Sequence, residues 1–120
     1  MTTFDLDTVD TLLSTTRAVR KRLDLEREVP DDVLVDCIRL SQQAPTASNM
    51  QNWRWMIVRD PATRQALAYL SRDAGGAYLA AAAEQVTHDQ TSRVMNSATY
   101  LAERLQDVPV HVIPCLKARL

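Results

Sequence analysis

Only two stretches of this chain have the character of β-strands, and they stand far apart. WRWMIV, residues 53–58, is dense in aromatic and β-branched side chains. VPVHVIPCL, residues 108–116, is the second, with Pro109 near its start and Pro114 within it. Proline donates no ladder hydrogen bond, so this strand is expected at an edge or a bulge. Two strands make no stable sheet on their own, least of all as a parallel pair. The pattern predicts an α+β fold, with helices around a small central sheet that further chain or a partner must complete.

The rest of the sequence has helical periodicity. Leu6, Val9, Leu12 and Leu13 recur at helical spacing over residues 5–15, with Asp5 or Asp7 placed to cap. Pro30, Asp31 and Asp32 suit the opening turn of a second helix. Its buried stripe is expected to be Val33, Leu34, Cys37, Ile38 and Leu40, and it should stop before Pro45. Asp60 and Pro61 read as cap and first position of a third helix, which the Gly75–Gly76 pair is expected to break. AYLAAAAEQV is helical by propensity. Residues 87–106 follow, with Val94, Ala98, Leu101, Ala102 and Leu105 on the apolar side. In the first strand, Trp53, Trp55 and Ile57 should share one face, and Arg54, Met56 and Val58 the other.

Composition narrows the function. The 120 residues suffice for one modest domain, and a net charge of −1 argues against a generic grip on nucleic acid or acidic membranes. No basic-then-apolar leader opens the chain, and no apolar run approaches membrane-spanning length. Cys37 and Cys115 sit in no metal-ligand or redox spacing and are expected to be small buried apolar residues, so the default location is the reducing cytoplasm. With only two glycines, the chain has no Gly-rich phosphate loop, and any phosphate must be held by cations, hydroxyls and helix ends. His88 and His111 are isolated, and no acid–base dyad or metal cluster is visible.

Two polar segments stand out. TRAVRKR places Arg17, Arg20, Lys21 and Arg22 directly after the first helix. Such cations suit the negative helix end or form a solvated cluster; alternatively, Arg17 and Arg20 converge on one anion with forked charge-assisted bonds. APTASNMQNW, residues 44–53, packs Thr46, Ser48, Asn49 and Gln51 into one connection. These side chains either cap the turn's own backbone or face a flat polar heterocycle, for which amides offer both donors and acceptors.

Together, TRAVRKRLDLEREVP and APTASNMQNWRWMIVRDP resemble the N-terminal part of the nitroreductase family of flavin mononucleotide (FMN) enzymes. The family pattern is a basic R-S-x-R turn, a helix, A-P-S-x-x-N-x-Q-P-W, and a strand. ATYLAERLQDVPVHVIPCL is similar to the family's next helix and second core strand, so the resemblance spans residues 12–116.

The resemblance implies a nitroreductase-like α+β fold. Residues 1–120 are then one truncated domain, the N-terminal part without the C-terminal half and its further strands and late basic residues. It implies FMN as cofactor. The turn Arg17, Ala18, Val19 and Arg20 would hold the ribityl phosphate. Pro45, Thr46, Ala47 and Asn49 would border the flavin, commonly from the second subunit of a homodimer. Gln51 and Trp53 read as support for the loop. Ala18 stands where the family often has Ser, removing a hydroxyl, and Asn52 replaces the usual Pro, which is expected to loosen the loop's end. The implied activity is a flavin-dependent oxidoreductase passing hydride or electrons from NADH or NADPH to a nitroaromatic or quinone-like acceptor, with no catalytic side chain assigned. The alternative is a non-catalytic family member that serves as a binding or interaction module. Nucleic-acid binding through residues 17–22 is disfavoured by the short cluster and the lack of interleaved aromatics.

Overall fold

The computed structural model describes residues 3–117. In chain order it consists of α1 (Leu6–Thr15), α2 (Asp31–Ser41), β1 (Trp53–Val58), α3 (Pro61–Glu84), α4 (Asp89–Arg104) and β2 (His111–Leu116). Single 3-10 turns lie at Ala47–Asn49 and Leu105–Asp107. No helix among the described residues is long and apolar enough to cross a membrane.

Side chains start three of the helices. The Asp5 carboxylate accepts from the Asp7 amide at 3.2 Å and the Thr8 hydroxyl at 2.5 Å, so Asp5 rather than Asp7 caps α1. Asp60 accepts from the Thr63 amide at 2.8 Å and its hydroxyl at 2.6 Å, with Pro61 at the first position of α3. His88 caps α4 through Nδ1, which accepts from the Gln90 amide at 3.3 Å.

β1 and β2 pair antiparallel, from Trp53 opposite Leu116 to Val58 opposite His111. β2 is shorter than its sequence suggested, because the turn at Leu105–Asp107 holds Val108 and Pro109 outside the ladder. Pro114 sits opposite Trp55; among the described residues the sheet has two strands, each with an open edge that tolerates a missing donor. Beyond Trp53, the Lys117 amide donates to the Asn52 carbonyl at 3.0 Å and the Asn52 side chain donates to the Lys117 carbonyl at 3.2 Å. Asn52 therefore ties the loop's end to β2, where a loosened end was expected; a proline has no side-chain amide to donate.

α3 packs against α4 and the turn that follows it. Arg72 donates to the Ala102 carbonyl at 3.2 Å and to Gln106 Oε1 at 2.8 Å. Arg64 donates to the carbonyls of Gln106 and Val108. These guanidinium groups meet the negative end of α4 and fix where β2 begins. His111 joins them, with Nε2 2.8 Å from the Leu105 carbonyl.

Several sequence expectations are corrected. The Gly75–Gly76 pair does not break α3, which runs unbroken to Glu84. Both glycines have helical backbone, and a Cβ at either would meet no atom within 4 Å. Of the expected α2 stripe only Leu34 is buried, and Cys37 is exposed because no element covers its side of the helix. In β1, burial passes from Trp53 and Trp55 to Val58, leaving Ile57 exposed.

The chain is open. Its radius of gyration is 17.7 Å, against about 13.5 Å for a compact domain of this length. Its accessible surface is 10023 Å², against roughly 6,500 Å² for a compact monomer of this mass. Among the described hydrophobic residues only Leu34, Val58 and Ala68 are buried. α1 buries none; Leu6, Leu12 and Leu13 point to solvent, Leu13 at 72% exposure.

Two predictions follow from the helices. Gly75→Ala and Gly76→Ala should each stabilise the protein by about 0.5–1 kcal/mol in chemical denaturation, because alanine costs less backbone entropy and nothing obstructs it. The hydroxyl and amide of Thr63 hold the Asp60 carboxyl below its ordinary value of 3.8. A carboxyl with a depressed folded pKa stabilises above the unfolded value, and that contribution is lost as pH falls through the folded one. Melting temperature should therefore drop as pH falls below about 4, and Asp60→Asn, which still caps, should flatten that acid limb.

Candidate functional site

The loop after α2 is built by a succession of tight turns. The Ser41 hydroxyl donates to the Ile38 carbonyl at 2.7 Å, and the amides of Gln42, Gln43 and Ala44 wind the helix down onto the Ile38, Leu40 and Ser41 carbonyls. Pro45 then forbids further helix. The Asn49 amide returns to the Thr46 carbonyl at 3.0 Å and the Met50 amide to the Ala47 carbonyl at 3.2 Å. Three non-glycine residues here have left-handed backbone: Ser48 and Asn49 at φ 51° and Gln51 at φ 46°. Asparagine visits this region readily, whereas Ser48 and Gln51 there each cost on the order of 1–2 kcal/mol. Strained backbone of this kind clusters at active sites and ligand clamps.

Side chains lock this shape. Gln51 Nε2 donates to Asn49 Oδ1 at 2.8 Å and to Thr46 Oγ1 at 3.3 Å, and the Gln51 amide donates to the same hydroxyl oxygen at 3.3 Å. Thr46 thus satisfies backbone, as one reading of the sequence held, while the three side chains also border open space. A cavity of about 650 Å³ is lined by residues 42–46 with Asn49 and Gln51. Pro45, Thr46 and Asn49, expected at a cofactor rim, are brought together there; Ala47 lies in the adjoining 3-10 turn, outside the lining. Gln42 and Gln43 join the wall unforeseen, since as the last turn of a helix they carried no motif.

Directly after the loop, at the start of β1, Trp53 stacks on Trp55, with ring centroids 6.5 Å apart and planes at 26°. Both indole N–H groups are buried without an acceptor among the described residues.

The basic turn lies apart. Arg17 is exposed and donates through Nη1 to the carbonyls of Ser14 at 2.9 Å and Thr16 at 2.7 Å, the helix-end role open to a cation there. Ala18 and Val19 are exposed, and Arg20 is half-buried with no ion pair among the described residues. None of residues 17–20 lines the loop cavity. Neither histidine lines it, and no cluster able to hold a metal exists among the described residues.

A second cavity, of about 830 Å³, opens at the other end of the sheet, where Arg59, Arg64 and Arg104 face Glu26, Glu28 and Asp107. Its arginines are engaged by the fold. Arg59 binds the Val29 carbonyl and, at 2.7 Å, Asp31; Arg104 pairs with Asp107 at 3.0 Å; Arg64 holds the start of β2. Positions so far apart in sequence gave no sign of this cluster.

FMN needs a polar rim for its ring system and cations for its phosphate. The loop has amides and a hydroxyl on a cavity wall, and the turn has two guanidinium groups, one using only Nη1 on the fold and one without an ion pair among the described residues. The donor sets fit the group, although within one chain they do not meet.

An amide-rich loop leading into an antiparallel strand pair, flanked by helices, gives the chain an α+β fold. It belongs to the nitroreductase family, whose model matches residues 13–119. A NADH dehydrogenase of Thermus thermophilus is 38% identical over 60 residues, which cover 47% of this chain and 29% of that protein. The crystal structure of oxidized iodotyrosine deiodinase bound to FMN and 3-iodo-L-tyrosine shares the fold, with a TM-score of 0.61 at 17% identity. That match covers 85% of this chain and 53% of the other. The chain therefore spans less than a third of the first relative and about half of the second.

Proposed function

We propose that this chain is a nitroreductase-type FMN polypeptide whose cofactor site is shared between two copies. Arg17 and Arg20, with the backbone of Ala18 and Val19, would take the phosphate; Pro45, Thr46, Ala47 and Asn49 would border the ring system. The observation that carries this reading is the strained loop whose Thr46, Asn49 and Gln51 side chains interlock on a cavity wall. Bound FMN would supply hydride acceptance from NADH or NADPH and electron delivery to small oxidants such as nitroaromatics or quinones. The protein's part is to bind, orient and shield the cofactor. No side chain is assigned a proton transfer. Free thiols at Cys37 and Cys115 fit a cytoplasmic setting.

A second copy is supported by area and by the absence of residues 17–20 from the lining of the loop cavity. The surface in excess of a compact monomer, roughly 3,500 Å², is well above the 800 Å² or so per partner of a standard interface. It includes the apolar stripe of α1. A homodimer would cover that stripe and bring one copy's basic turn to the other's loop.

Three measurements test this. FMN titration with Arg17→Ala and Arg20→Ala should show affinity losses of roughly 1.5–3 kcal/mol per lost charged hydrogen bond, with riboflavin affinity unchanged. Equal losses for both ligands would refute the phosphate assignment. Sedimentation should show a dimer that Leu12→Asp or Leu13→Asp dissociates; a flavin-loaded monomer contradicts the shared site. The alternative, a non-catalytic interaction module, draws on the small buried core of this chain. A preparation that stays colourless with added FMN selects it.

A further inference from the structure

We infer that Arg59 is the positioning residue of the basic turn: its guanidinium is the polar clasp that fixes the segment carrying Arg17 and Arg20 against the rest of the domain. This rests on the flavin reading, in which that turn takes the phosphate. It assigns a residue that governs the turn without touching the ligand.

The chain has two parts, joined by the loop at residues 44–52. The arm, residues 3–43, contains α1, the basic turn and α2; the body, residues 53–117, contains both strands, α3 and α4. Neither helix of the arm packs extensively on another element, whereas α3 and α4 pack on each other. Arg59 stands at the corner between the end of β1 and Asp60, the cap of α3. Its Nη2 donates to the Val29 carbonyl and, at 2.7 Å, to Oδ1 of Asp31, the first residue of α2. Among the described residues, no other hydrogen bond or ion pair joins the arm to the body.

The surroundings isolate this clasp. On one side lies the cavity of about 830 Å³, where Glu26 and Glu28 of the arm face Arg64 and Arg104 of the body. No ion pair crosses it among the described residues: Arg104 pairs with Asp107, and Arg64 Nη1 binds carbonyls, all within the body. On the other side, Glu28, Val29, Pro30 and Asp31 line a further cavity of about 460 Å³ with Arg59 itself. Apolar contacts remain, with Leu34 buried and Leu25 half-buried. They resist separation but are non-directional, so they let the arm slide and turn. A planar guanidinium held on two acceptors fixes distance and angle together. Asp31 is 87% exposed, so its charge contributes little. The part-buried bond to the Val29 carbonyl is the stronger hold.

From Val29 the constraint passes back along a short, stiffened run. Asp24 Oδ1 accepts from the amides of Glu26 and Arg27, both at 3.1 Å, and closes a turn just after the basic cluster. With Arg59 in place, Arg17 and Arg20 keep one position relative to β1 and the loop attached to it. Without it, the arm is tied to the body by the loop and by apolar contacts that slide.

The test is titration of the full chain, wild type, Arg59→Ala and Arg59→Lys, with FMN and with riboflavin, beside limited trypsin digestion without ligand. Arg59→Ala should weaken FMN roughly tenfold, the loss of one charged hydrogen bond, and leave riboflavin within about twofold. Arg59→Lys, a point charge without the planar fork, should fall between the two. Unchanged FMN affinity in Arg59→Ala, or equal losses for both ligands, overturns the inference and leaves the flavin reading standing. A wild-type chain that binds neither ligand removes the flavin reading, and digestion then decides the clasp alone. Cleavage after Arg27 should be several-fold faster in Arg59→Ala than in the wild type, with cleavage after Arg93 in α4 unchanged. No acceleration after Arg27 overturns the clasp. If Arg59→Ala fails to fold, both sites accelerate, and Arg59→Lys decides: faster cleavage after Arg27 alone supports the clasp, and any other pattern overturns it.

Discussion

The antiparallel ladder between Trp53–Val58 and His111–Leu116 is the contact on which everything else hangs. It joins segments separated by two long helices, so its formation carries the loop-closure entropy of that whole excursion. The helices reduce this cost by folding back on themselves. Arg64 and Arg72 reach from α3 to the end of α4, and the turn they brace delivers His111 opposite Val58. Asn52 and Lys117 close the far end. The loop that precedes Trp53 is thereby attached to a fixed strand end, and its strained backbone has something to push against.

The same economy leaves much undone. Among the described residues each strand keeps an open edge, two indole N–H groups lack acceptors, and α1 displays its leucines. These features have one thing in common: they are groups suited to burial or pairing that the described residues do not themselves bury or pair. Family membership gives this its context, since the solved relative shares the fold over about half of its own length. Electrostatics play a smaller part. Of the ion pairs among the described residues, Arg39–Asp36 and Arg104–Asp107 are local and exposed, of the kind that contributes little; Arg59–Asp31 alone spans distant segments.

Much of this was legible in the sequence. Capping by Asp5 and Asp60, Pro61 at a helix start and the extent of β1 all follow from local chemistry, which the short range of helix caps and strand propensities makes readable. The turn and loop motifs identified the family because they occur in order around a helix. The failures share a cause. Gly75–Gly76 was expected to end a helix, yet propensity is a weak prior, and continuity with the packed first half of α3 carries the helix through. The α2 stripe and Cys37 were expected to be buried, but periodicity shows only which face is apolar, not whether anything covers it.

The amino-acid sequence by itself determined where α1, β1 and α3 begin, that no glycine-rich phosphate loop exists, and that Thr46, Asn49 and Gln51 would share one short loop, because these are matters of neighbouring residues. Only the tertiary structure decided that Gln51 points its amide at both Thr46 and Asn49, that Asn52 ties the loop to Lys117, and that α1 stands uncovered. Those outcomes depend on backbone angles and on distant partners, and spacing along a chain specifies neither.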